Sequence, residues 1–127
     1  AHGSVIDFVV DIRVGSPTFG QWDSVVLDTV DRRALYISEG LGHCFVALED
    51  GTAVNYLVSE VFNPEREHGI TPLDETVGLR FPFPADDLLL SPKDVAAPTL
   101  LDSEAQGLLP RWDAVEQFTR SLSDAWN

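Results

Sequence analysis

Across residues 5–14 the chain alternates position by position, with Ile6, Phe8, Val10 and Ile12 on one side and Asp7, Val9, Asp11 and Arg13 on the other. A period of two predicts a β-strand whose apolar side is covered. The second side is unusually polar. On a half-exposed antiparallel strand such a side ordinarily meets solvent, whereas in a barrel or sandwich it lines a ligand pocket. Gly15-Ser16-Pro17 then makes a turn, and shorter apolar runs follow at 24–27, 34–37, 44–48 and 53–58. They are separated by Asp31-Arg32, Glu39-Gly40 and Glu49-Asp50-Gly51. Short strands at this spacing predict an antiparallel sandwich or barrel. Glu49-Asp50-Gly51-Thr52, between two such runs, reads as the clearest hairpin turn.

After Phe62 the texture changes. Pro64, Pro72, Pro82, Pro84, Pro92 and Pro98 crowd the next stretch, and little regular structure is expected there. Residues 102–107 predict a short helix, capped by Asp102 and ended by Gly107. Beyond Pro110, residues 112–126 carry Val115, Phe118, Leu122 and Trp126 at helical spacing, an amphipathic terminal helix that docks on the sheet.

Composition narrows the function classes. A chain of 127 residues with 44% hydrophobic positions fits one domain with one core. No apolar run approaches the ~18 to 20 residues that span a bilayer, so no membrane association is expected. Eight Lys and Arg against 21 Asp and Glu leave a net charge of −13, a field that repels nucleic acid. An anionic ligand would need local cations to oppose that field, and Arg13, Arg32, Arg33, Arg66 and Lys93 are the candidates. Cys44 is the single cysteine, which suits a reducing cytoplasm. His2, His43 and His68 show no His-x-His spacing, so no metal site is expected.

Four motifs are too particular for composition or periodicity to generate. They are Asp-Ile-Arg-Val-Gly-Ser-Pro-Thr-Phe-Gly-Gln-Trp at 11–22, Glu-Gly-Leu-Gly-His-Cys-Phe at 39–45, Phe-Asn-Pro-Glu-Arg-Glu-His-Gly-Ile at 62–70 and Leu-Ser-Pro-Lys-Asp at 90–94. Together they resemble the dTDP-4-keto-6-deoxyhexose epimerases, the dTDP-4-dehydrorhamnose 3,5-epimerase family, over residues 5–110. The resemblance implies a mainly β, cupin-like antiparallel jelly-roll barrel or sandwich with C-terminal helices. Residues 1–127 then form a single domain holding the C-terminal two-thirds of the family pattern, as though the chain began partway through a longer one. It also implies a homodimer, a dTDP-linked keto-deoxyhexose as ligand, and no cofactor.

The implied reaction removes the proton alpha to a 4-keto group and returns a proton to the opposite face, at C3 alone or at both C3 and C5. This needs a base, stabilisation of the enolate oxygen and an acid across the ring. By resemblance, Asp94 matches the aspartate that partners the base histidine, Lys93 contacts substrate or phosphate, His43 lies in the substrate site, and Glu67 sits near the nucleotide. Asp11, on the polar face of the first strand, is expected to orient His43. Two departures stand out. No Arg-Gly-x-His motif, which carries the family base, occurs in the chain, and Phe62 stands where the resemblance places the acid tyrosine. A benzene ring cannot give the proton that a phenol of pKa ~10 gives. Tyr56 is the nearest other phenol. The alternative reading is a catalytically silent cupin that binds a nucleotide-sugar or a partner enzyme.

Overall fold

The computed structural model describes residues 2–125. Its sheet has three strands, β1 (Ser4–Asp11), β2 (Trp22–Asp28) and β3 (Leu41–Ala47), in the order β2-β1-β3 with both pairings antiparallel. Three helices follow, α1 (Pro92–Val95), α2 (Leu100–Ala105) and α3 (Trp112–Asp124).

The longest strand, β1, takes the centre. Phe8 is fully buried, meeting Trp22 and Phe81 edge-on with ring centroids 5.6 and 5.3 Å away. Enclosing such a ring contributes on the order of 2 to 3 kcal/mol. Val10 packs with Leu100 of α2 and with Val77, so the apolar side of the sheet faces the C-terminal segment. The polar side is not solvent-facing, because Asp7 and Asp11 are both buried along with Val5. A central strand is covered on both faces, and these carboxylates therefore require partners.

Two predicted strands do not form. Residues 34–37 run without sheet pairing, since β2 ends in a turn in which the Asp28 carboxylate accepts from the backbone N–H groups of Val30 and Asp31. The run at 53–58 makes one bridge, Ala53 with His2. That bridge also corrects the hairpin. Leu48 donates its backbone N–H to Ser4 and Ala53 exchanges both bonds with His2, so residues 49–52 loop out and the chain returns to the same neighbour, the extension of β1. Alternation of side chains does not supply a hydrogen-bonding partner, and neither run finds a ladder to join.

In the proline-rich stretch only a 3-10 turn at Ala85–Asp87 and the four-residue α1 are regular. Asp74 organises the loop before them. Its carboxylate accepts the backbone N–H groups of Thr76, Val77 and Leu100, clamping the loop to the first turn of α2. Helix α2 begins two residues earlier than predicted because Thr99 is its cap. The Thr99 oxygen accepts from the Asp102 N–H while its hydroxyl donates to the Asp102 carboxylate. Gly107 ends that segment at φ +69°, as expected. In α3 the predicted stripe docks only at its start. Trp112 and Val115 are half-buried, Phe118 and Leu122 are exposed, and Trp126 lies outside the described residues.

Candidate functional site

Register sets the site. In the β1–β3 pairing His43 stands opposite Val9, with Asp7 opposite Phe45 and Asp11 opposite Leu41, so His43 has a carboxylate diagonally on either side along one face. Its imidazole turns to Asp7. Nε2 lies 2.9 Å from each carboxylate oxygen and is hydrogen-bonded to Oδ2. The Asp7 side chain is 5% exposed and that of His43 is 32% exposed, so the carboxylate is enclosed while the ring reaches open space.

Asp11 does not orient His43, because its own carboxylate is fully engaged. It accepts from Arg13 Nε and a terminal guanidinium nitrogen at 2.8 Å each, from the Arg13 backbone N–H, and from the hydroxyls of Ser16 and Thr18. Burial alone would push this carboxyl up. The hydrogen bonds from Arg13, Ser16 and Thr18 outweigh it and hold the group well below the usual carboxylate range. The Arg13 guanidinium stacks 4.4 Å over the Trp112 ring, which ties the start of α3 to the same cluster. The motif at 11–22 thus builds a structural clip.

Two cavities meet at His43. One, about 650 Å³, is bordered by His43, Asp7, Arg33, Tyr36 and Tyr56. The other, about 410 Å³, has an apolar floor that includes Val10 and Leu109, and His43, Cys44, His68, Lys93 and Asp94 border it. Lys93 and Asp94 are placed there by α1, where Ser91 caps the backbone N–H of Asp94 and donates its hydroxyl to the Asp94 carboxylate at 2.7 Å. Alternation along β3 sends Cys44 to the Phe8 side, opposite to the Asp7 side taken by His43. Burial pushes the Cys44 thiol up to about 11, and the negative charges of Asp94 and Asp7 add to the effect. Among the described residues Asp94 is hydrogen-bonded to no histidine, and no three His, Cys, Asp or Glu side chains converge as metal ligands.

The remaining candidates lie apart. Phe62 is 71% exposed and borders neither cavity, and Glu67 is exposed and likewise outside both. The stretch carrying them forms no strand that could pair with the sheet. Two phenols, Tyr36 and Tyr56, border the larger cavity with His43. Asp7 is the residue that sequence reasoning passed over: the period of two put it on the same face as Asp11, but only the pairing register shows which carboxylate meets the imidazole.

The family model for dTDP-4-dehydrorhamnose 3,5-epimerase matches residues 1–102. The chain belongs to that family. It is 52% identical over 121 residues to the dTDP-4-dehydrorhamnose 3,5-epimerase of Mycolicibacterium smegmatis, covering 95% of this chain and 59% of the relative. Among solved structures, the rmlC epimerase of Mycobacterium tuberculosis superposes with a TM-score of 0.87 at 53% identity, over 92% of this chain and 59% of that one. ChmJ, a 3'-monoepimerase from Streptomyces bikiniensis in complex with dTDP-quinovose, gives 0.88 at 42% identity, over 94% and 60%. The chain therefore spans about three-fifths of the length of these family members. Within that span its antiparallel sheet and C-terminal helices follow the cupin-like fold of the epimerases.

Proposed function

We propose that the protein is an epimerase of a dTDP-linked 4-keto-6-deoxyhexose in deoxysugar biosynthesis. It inverts C3, and C5 where a second proton can be delivered, by removing the proton alpha to the ketone and returning one to the opposite face. The observation that carries this reading is the larger cavity. Within a chain more than half identical to mycobacterial family members, an imidazole anchored on a buried carboxylate shares that cavity with two phenols and a guanidinium.

Each group has a task that its chemistry permits. Arg33 supplies positive charge for the diphosphate against a net charge of −13. His43 faces the sugar and accepts a hydrogen bond from one of its hydroxyl groups. Tyr56 takes the place of the acid, since Phe62 neither borders the cavity nor holds a transferable proton. Lys93 and Asp94 flank the second cavity, from which they bound the far side of the site, while Phe62 and Glu67 are left to contact the nucleotide from the exposed loop. Asp11 serves the fold. The abstracting base that the resemblance assigns to an Arg-Gly-x-His histidine is not among these residues, so their roles are binding, charge stabilisation and protonation.

The same reading makes the protein a cytoplasmic homodimer. The single cysteine, and the outer edges of β2 and β3, which pair with no further strand among the described residues, support it. No helix among the described residues is long and apolar enough to cross a membrane.

Deuterium wash-in is the test. A form of the protein that carries the Arg-Gly-x-His base together with these residues is incubated with the dTDP-4-keto-6-deoxyhexose in heavy water, and label at C3 and C5 is followed by mass spectrometry. Label at C3, with or without C5, is expected. A sugar that binds yet stays unlabelled would remove the epimerase reading and leave a non-catalytic nucleotide-sugar binder.

A further inference from the structure

Asp7 is held in the most enclosed part of the sheet, and among the described residues its carboxylate has one side-chain donor. Nε2 of His43 is hydrogen-bonded to Oδ2, and Oδ1, although 2.9 Å from the same nitrogen, has no hydrogen bond of its own. A buried carboxylate left with a single donor concentrates its whole directing effect on that donor. The neighbouring strand residues compete for neither atom: Val9 is apolar, and Asp11 is saturated by Arg13, Ser16 and Thr18. Nδ1 of His43 has no hydrogen-bond partner among the described residues, while the ring itself borders the larger cavity beside Tyr56.

We infer that Asp7 is the positioning residue of the site: it fixes the proton of His43 on Nε2, so that the imidazole meets the ligand with the Nδ1 lone pair. The physical basis is the division of labour between the two ring nitrogens, in which the hydrogen bond made by one decides the state of the other. With Nε2 committed to Asp7, the neutral ring offers an acceptor to a sugar hydroxyl. When Nδ1 takes up a proton, the resulting cation is balanced by a carboxylate already in contact. The same contact stops the ring from flipping, which would exchange the two nitrogens. The identity of the ligand rests on the proposed epimerase function, but the geometry of the pair is independent of it.

The experiment is side-chain nitrogen NMR on the histidine-labelled full chain. For the wild-type protein a directly observed Nε2 proton, protected from exchange with water, and an unprotonated Nδ1 in the neutral ring are expected. In Asp7→Asn that proton is expected to exchange roughly tenfold or more faster, the loss of one hydrogen bond to a charged partner. Overturning results are a wild-type His43 protonated on Nδ1, an Nε2 proton that exchanges as freely as that of an exposed histidine, or identical behaviour in the variant. The wild-type measurement stands alone should Asp7→Asn fail to fold. Titrating dTDP into the wild-type sample separates this inference from the assignment of the ligand. A protected Nε2 proton with no response to dTDP upholds the positioning role and counts against the ligand, whereas an unprotected one refutes the role even if dTDP binds.

Discussion

Replacing Asp11 with alanine should unfasten the C-terminal helix and lower the stability of the whole domain. The carboxylate accepts five hydrogen bonds, three of them from Arg13, and the ion pair is enclosed, with side chains 16% and 7% exposed. Deleting one partner of an enclosed pair costs about 3 to 5 kcal/mol, because the other charge stays behind without compensation. Here the guanidinium has one escape, since Arg13 lies near the surface at Trp112 and can swing outward, which favours the lower part of that range. A loss of about 3 kcal/mol lowers the melting temperature of a domain this size by roughly 10 °C. Swinging Arg13 away would also abolish the guanidinium stack on Trp112, so a change in tryptophan fluorescence should accompany the loss in urea unfolding. A destabilisation below about 1 kcal/mol, with unchanged fluorescence, would refute the claim that this cluster is a structural clip.

Three further outcomes follow from single sites. Asp74 and Asp11 both have carboxyl pKa values held below the ordinary range, so each stabilises the fold at pH values above the unfolded value near 4 and loses that contribution as pH falls toward the folded value. Acid unfolding should therefore steepen below pH ~4, and Asp74→Asn should flatten that dependence while lowering stability at neutral pH, as followed by circular dichroism. Gly40 adopts φ +83°, and a Cβ there would come within 2.8 Å of Val115 and 3.0 Å of Arg13, so Gly40→Ala should cost about 1 to 3 kcal/mol in urea titrations. With its thiol pushed up to about 11, Cys44 should react with iodoacetamide at pH 7 roughly two to three orders of magnitude more slowly than a free thiol, and should accelerate on unfolding in urea.

What could be read from the sequence divides along the range of the interactions involved. The three strands that formed were legible because each pattern is local and each found a neighbour within the same short sheet. The runs at 34–37 and 53–58 had the same pattern but no neighbour, and partner availability is not written in a period of two. Helix α3 was visible from the spacing of Val115, Phe118 and Leu122, but the extent of its docking was not, because the Arg13–Trp112 stack and the Gly40–Val115 contact join residues about 75 to 100 positions apart. The start of α2 was misplaced by reading Asp102 as the cap when Thr99 is the cap and Asp102 its first-turn partner. At the site, His43, Lys93 and Asp94 were picked out by motif and do border cavities. The choice of Asp11 over Asp7 failed because two aspartates on one face are equivalent until the register places them diagonally about His43 and shows that Arg13, Ser16 and Thr18 have already claimed one.

The most direct test of the central claim, that the cavity shared by Asp7, His43 and Tyr56 receives the activated sugar, is a backbone amide NMR titration with dTDP-quinovose. Saturable shifts centred on Asp7, His43 and Tyr56, and weakened by His43→Asn, are the expected result. Binding that leaves all three amides unmoved, or no shifts at saturating ligand, would contradict it.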